Sequence, residues 1–95
     1  MIELLHPNDF DQMYSIMKQS FPDDEYRGYK GQKQLFENPE YKVYIYRNPD
    51  THIITGFLSA WDFEDLLFFE HFAVSSSARN NGIGKMILQE VLSQT

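Results

Sequence analysis

Cysteine does not occur in this 95-residue chain, which excludes disulfides, thiolate metal sites and a cysteine nucleophile together. Basic residues are scarce too: 8 Lys+Arg stand against 14 Asp+Glu, a formal net charge of -6. Non-specific binding to nucleic acid relies on cationic patches that neutralise phosphates, so this balance argues against a nucleic-acid partner. The surplus of acid is compatible with a cationic or amine substrate, although many proteins carry it for solubility alone. No stretch approaches the roughly 20 apolar residues that span a bilayer. Met1 leads into Ile2-Glu3-Leu4-Leu5 without the basic start and long apolar run of a signal peptide. The reading is a cytoplasmic protein with no membrane partner. The histidines, His6, His52 and His71, lie far apart in sequence and form no metal-ligand pattern, so no metal is expected.

What the chain does have is core material. It is 42% hydrophobic, with 8 Phe, 6 Tyr and 1 Trp, which speaks against disorder. Its length allows a single small domain with little stability in reserve.

Ile2 to Leu5 reads as a short strand ended by His6-Pro7. Asn8 or Asp9 can cap the helix that follows. In that helix Phe10, Met13, Tyr14, Met17 and Phe21 recur at three- and four-residue spacing, and Pro22 marks its end. Residues 22–28 read as a polar loop, and a second helix runs from about Tyr29 to Glu37, weakened by Gly31. Tyr41 to Tyr46 and His52 to Trp61 read as a hairpin around Asn48-Pro49-Asp50-Thr51. Gly56 inside the second strand marks a bulge or a close backbone approach. After a turn over residues 62–65, Leu66 to Val74 is apolar at nearly every position, as expected of an interior strand covered on both faces. Ser75 to Asn81 breaks that strand. A helix then begins at Gly82, with Ile83, Ile87 and Val91 on one face and Leu88 and Leu92 beside them.

The stretch with chemical content is Arg79-Asn80-Asn81-Gly82-Ile83-Gly84-Lys85. A helix N-terminus offers unpaired N–H groups and a partial positive charge, a ready place for a phosphate. Glycines let the backbone approach an anion closely, and Arg79 and Lys85 can add charge there. A Walker P-loop needs a longer spacing and Ser or Thr after the lysine, where Met86 stands. A dinucleotide fingerprint needs three spaced glycines, and two are present. Arg79, Gly82 and Gly84 do match the R/Q-x-x-G-x-G/A signature in register. A loop with flexible glycines before an ordinary helix meets that short pattern equally well.

The surrounding sequence separates these readings. Glu70-His71-Phe72-Ala73-Val74 before the motif, and Ile83-Gly84-Lys85-Met86-Ile87-Leu88 within it, resemble GNAT-type N-acetyltransferases, as does the order of elements over all 95 residues. The resemblance implies an α/β fold with a mixed sheet: the N-terminal portion of the GNAT domain in the order strand, two helices, three strands, helix. Residues 1–95 would form a single partial domain. The activity implied is transfer of an acetyl group from acetyl-coenzyme A, the cosubstrate, to a primary amine on a small molecule or peptide.

Residue by residue, the resemblance places the pantetheine arm along the backbone of Phe72, Ala73 and Val74. It places the pyrophosphate on the amides of Asn80, Asn81, Gly82, Ile83, Gly84 and Lys85, beside Arg79. A backbone amide near the same strand would polarise the acetyl carbonyl. Glu70 occupies the strand that carries a glutamate base in some members. Apolar Phe68, Phe69 and Phe72 around it would raise its pKa towards useful values. The other reading of Glu70 is a structural carboxylate, hydrogen-bonded nearby or solvated. His71 alternates to the opposite face and reads as a packed histidine before a base. The acidic loop with Asp23, Asp24, Glu25 and Tyr26 falls where this fold shapes its acceptor pocket, and reads as a solvated loop or an amine contact.

A complete domain of this family continues with a fifth strand, a fourth helix carrying a tyrosine acid, and two more strands. The expectation is therefore half a site, inactive alone, from a shortened gene product, a proteolytic fragment, or a form in which two copies complement each other. The other function class is a non-catalytic remnant serving as a coenzyme A-binding or protein-interaction module. The strand from Leu66 to Val74, left at an edge, would invite a homodimer, unless the splay of the fold and a bulge near Phe72 discourage pairing.

Overall fold

The computed structural model describes residues 2–94. Its elements are β1 (Ile2–Leu4), α1 (Phe10–Ser20), α2 (Tyr29–Gln34), β2 (Tyr41–Arg47), β3 (Ile54–Phe63), β4 (Leu66–Val74) and α3 (Ile83–Ser93). The strands form one sheet in the order β1-β2-β3-β4. Every pairing among the described residues is antiparallel. The topology follows the expected order, and the mixed α/β architecture stands. Among the described residues no helix is long and apolar enough to cross a membrane.

The sheet is the middle layer of three. On one face α1 buries Phe10, Met13, Tyr14, Ile16 and Met17 against Val43, Ile45 and Phe57. On the other, Ile87 and Val91 of α3 pack on Ile2, Tyr44 and Leu58. Val43 and Ile45 therefore face α1 while Tyr44 faces α3, which is the two-residue period of a strand covered on both sides. The strand buried on both faces is β3, in which residues 54–60 are all buried. The expectation that Leu66 to Val74 fills that role is corrected: β4 is an edge strand, with Leu66 61%, Phe68 53% and Phe72 40% exposed.

Helix boundaries show which local signals won. Phe21 is extended (φ -131, ψ 149), as a residue preceding proline must be, so α1 stops ahead of Pro22. Asp9 holds the N-cap position, but its side chain makes no capping bond. It is drawn instead to Arg47, whose Nη2 lies 2.9 Å from its Oδ2. The second helix is shorter than expected: α2 ends at Gln34 and tightens into a 3-10 turn over Leu35–Glu37.

Two register shifts bend the sheet. One lies where Arg47 of β2 pairs with Ile54, next to Gly56. The other places His71 opposite Ser59 but Phe69 opposite Ala60, leaving Glu70 as the extra residue of a β-bulge. Ser59 satisfies the interrupted ladder, its Oγ accepting from the His71 amide at 3.1 Å. The bulge lies at Glu70, two residues before the place expected for it.

Candidate active site

The bulge sets the geometry of the site. Regular alternation would send Glu70 and His71 to opposite faces, but the inserted residue turns both towards one pocket, and that expectation is corrected. Their side chains approach at 3.4 Å, His71 Nδ1 to Glu70 Oε1. The pocket, of about 550 Å3, is completed by Phe21, Asp24, Glu25, Tyr26 and Arg27 from the segment between α1 and α2.

Arg27 reaches across 43 residues of chain to grip Glu70 with both arms of its guanidinium, Nη1 to Oε1 and Nη2 to Oε2, the latter at 2.9 Å. The Trp61 indole donates to Glu70 Oε2 at 2.8 Å. Behind Arg27 a polar chain runs inward: Nη1 also donates to Gln32 Oε1 at 3.3 Å, and buried Gln32 donates to the Tyr41 hydroxyl at 2.6 Å. Burial pushes the Glu70 carboxyl upward, but the hydrogen bonds from Arg27 and Trp61 and the charge of Arg27 outweigh it. The net pKa lies below the ordinary glutamate value. The raised pKa expected from Phe68, Phe69 and Phe72 is thus corrected, because the bulge turns Glu70 towards a cation. The Arg27 guanidinium is raised by its bond to Glu70.

His71 is buried and ties β4 to the acidic loop. Its Nε2 lies 2.7 Å from the Glu25 carbonyl oxygen, and its ring meets Phe21 edge-on at 5.0 Å. Its solvated-loop neighbour is therefore partly structural: Asp23–Glu25 form a 3-10 turn, and Asp23 Oδ1 accepts from the Tyr26 hydroxyl at 3.2 Å.

The glycine motif lies at the far end of β4. Gly82 is the N-cap of α3 in the left-handed region, φ 75, and a side chain there would meet nothing within 4 Å. Asn80 is left-handed too, φ 70. The hydrogen bonds of α3 begin at Met86, whose amide donates to the Gly82 carbonyl at 3.1 Å. The amides of Ile83, Gly84 and Lys85 precede it, as orphan donors of a helix start. Gly84 faces the strand end: a Cβ on it would lie 3.4 Å from Phe72 and 3.5 Å from Val74. The two segments expected to hold coenzyme A, Phe72-Ala73-Val74 and Gly82-Ile83-Gly84, are therefore side by side. Arg79 departs from expectation in detail, its Nε donating to the Val74 carbonyl at 3.1 Å. Asn81 and Lys85 are exposed beside Gly82.

Arg27, which lines the pocket, and Trp61, which donates to Glu70, are the residues that sequence reasoning did not single out. Neither carries a local signal, because their partner Glu70 is supplied by a different strand.

With this arrangement in place, the Acetyltransferase (GNAT) family model matches residues 10–94. The chain belongs to the GNAT acetyltransferase family. Among solved structures, a GNAT-family protein from Bacteroides thetaiotaomicron superposes with a TM-score of 0.82 at 26% identity, over 98% of this chain and 54% of that one. An aminoglycoside 6'-N-acetyltransferase complexed with coenzyme A gives 0.79 at 20% identity, over 99% and 54%. The aminoglycoside 6'-N-acetyltransferase from Enterococcus faecium gives 0.75 at 19%, over 99% and 53%. The last two likenesses concern the GNAT fold alone. This GNAT chain spans about half the length of these structures. No curated protein matches it in sequence.

Proposed function

We propose that this chain supplies the coenzyme A grip and one wall of the acceptor pocket in an N-acetyltransferase of the cytoplasm, transferring an acetyl group from acetyl-coenzyme A to a primary amine. Residues 1–95 act in this reading as a partial GNAT domain, within a longer or complemented whole. The observation that carries it is the start of α3. An open, left-handed Gly82 precedes three orphan amides at the start of α3, an arrangement that supports a pyrophosphate cradle. The pyrophosphate lies on the amides of Asn80 to Lys85 with Lys85 and Arg79 nearby, and the pantetheine follows the backbone of Phe72, Ala73 and Val74.

The chemistry is acyl transfer. The amine loses a proton, and its nitrogen attacks the thioester carbonyl carbon. A C–N bond forms, the C–S bond breaks, and coenzyme A leaves as a thiolate that takes up a proton. Glu70, which lines the pocket, is the carboxylate that receives the amine's proton in this reading.

Titration calorimetry with coenzyme A tests the cradle. Gly82→Val adds a β-branched side chain where φ is positive and is expected to weaken binding about tenfold or more, whereas Gly82→Asn, which tolerates that conformation, keeps most of it. Equal affinity in all three proteins would overturn the reading. A second reading, a non-catalytic coenzyme A-binding or interaction module, draws support from the lowered pKa of Glu70, since a carboxylate held low is a reluctant base. Turnover of acetyl-coenzyme A with a panel of amines separates the two.

A further inference from the structure

Gln32 is the buried residue of α2, 2% exposed, whereas the rest of that short helix faces solvent. An apolar side chain would fill the inward position at less cost, because a buried amide must have its hydrogen bonds made. The reason for a glutamine therefore lies in what it binds. Its Oε1 accepts from Arg27 Nη1 at 3.3 Å, and its Nε2 donates to the Tyr41 hydroxyl at 2.6 Å. A guanidinium can only donate, so the amide cannot turn over without losing that contact.

The same Nη1 also donates to Glu70 Oε1, while Nη2 donates to Oε2. One nitrogen thus divides its hydrogens between Gln32 and Glu70, which fixes the plane of the guanidinium as well as its place. The main chain of Arg27 is held separately, its carbonyl accepting from the Tyr14 hydroxyl at 2.7 Å. Tyr14 leaves the long side chain free, and that side chain is 37% exposed with several rotamers open to it. The Tyr41 ring lies 5.9 Å from the guanidinium, a contact that lacks the direction of a hydrogen bond.

We infer that Gln32, braced by the Tyr41 hydroxyl, is a positioning residue that holds the Arg27 guanidinium on Glu70 and so fixes where that carboxylate points. The role rests on the reading of Glu70 as the group that receives the amine's proton. Burial pushes the Glu70 carboxyl up, and Arg27, Trp61 and the charge of His71 draw it down. The other titratable groups facing it are Tyr41 on β2 and, across the pocket, Asp24, Glu25 and Tyr26. Arg27 is the strongest of the downward pulls. Loosening it raises the carboxyl towards the ordinary glutamate value.

The test is a proton titration of Glu70 by carboxyl-carbon NMR on the 95-residue chain. Gln32→Met keeps the volume and removes both hydrogen bonds, and is expected to raise the Glu70 midpoint by about half a pH unit or more. Arg27→Gln should raise it further, and adding Gln32→Met to that variant should then change nothing, because the glutamine acts through the arginine. Val91→Ala, in the core under α3, should lower stability and leave the midpoint in place. An unmoved midpoint in folded Gln32→Met would overturn the inference and leave Gln32 a packing residue. So would an equal shift with and without Arg27. Should Gln32→Met fail to fold, Tyr41→Phe decides on the same readout: it keeps the ring beside Arg27 and removes the hydroxyl that braces the amide. Coenzyme A is titrated into the same samples. Binding of coenzyme A with an unmoved midpoint defeats this inference and leaves the transfer reading standing. A moved midpoint without coenzyme A binding does the reverse.

Discussion

Glu70 shows how one inserted residue redirects chemistry. Without the bulge its carboxylate would stand among phenylalanines; with it, the same group meets Arg27 and Trp61. Its folded pKa lies below its unfolded value, so the ionised form stabilises the fold above the ordinary glutamate range. That contribution is lost as pH falls through the lower folded value. Glu70→Gln should therefore be less stable at neutral pH and lose less stability on acidification. Urea unfolding across a pH series measures this, and an unchanged slope below the glutamate range would refute it. Gly82 is the second decisive residue. A left-handed conformation costs an ordinary L-residue roughly 1–2 kcal/mol, so Gly82→Ala should lower the unfolding free energy by about that amount, and Gly82→Asn by less. Similar midpoints for the alanine and wild-type proteins would show that the loop relaxes.

Among the elements, α3 meets the sheet at one especially close approach. A Cβ at Gly56 of β3 would lie 2.8 Å from the Ile87 side chain and 3.4 Å from the Ala73 carbonyl oxygen. Gly56→Ala thus lifts α3 off the sheet or forces Ile87 to shift, at about 1–3 kcal/mol for overpacking. Ile87→Val removes the colliding methyl group. The double variant should be more stable than the sum of the two single losses allows, a coupling that a double-mutant cycle reads directly. Because α3 starts at the proposed phosphate cradle, Gly56→Ala should also weaken coenzyme A binding although it lies outside the motif. Additive stability losses would place the strain elsewhere.

For the whole molecule the open question is the outer edge of β4. Its backbone groups on that side have no strand partner among the described residues, and Leu66, Phe68 and Phe72 are exposed along it. Such an edge templates pairing with another chain, while the bulge at Glu70 interrupts it and a net charge of -6 repels a second copy. The chain is expected to self-associate as concentration rises, and more strongly as salt screens that charge. Light scattering reports the mass, and Phe68→Lys should suppress association. A monomer at high concentration and high salt would show that the bulge and twist suffice to protect the edge.

Periodic apolar residues determined α1 and α3 from sequence alone, since Phe10, Met13, Tyr14 and Met17, like Ile87 and Val91, reach one face by helical geometry whatever they pack against. Pro22 and the Gly82-x-Gly84 pair set local backbone conformation, so the end of α1 and the start of α3 were also legible there. Which strand lies inside was not, because the apolar runs of β3 and β4 look alike until pairing makes one central and the other an edge. Nor was the bond of Asp9 to Arg47 in place of the helix cap. The bulge at Glu70 is a property of the β3–β4 register, invisible to either strand by itself. Only the tertiary structure could therefore bring Glu70, His71 and Arg27 to one pocket, with Trp61 donating to Glu70, because the energies that join them act between residues far apart in the chain.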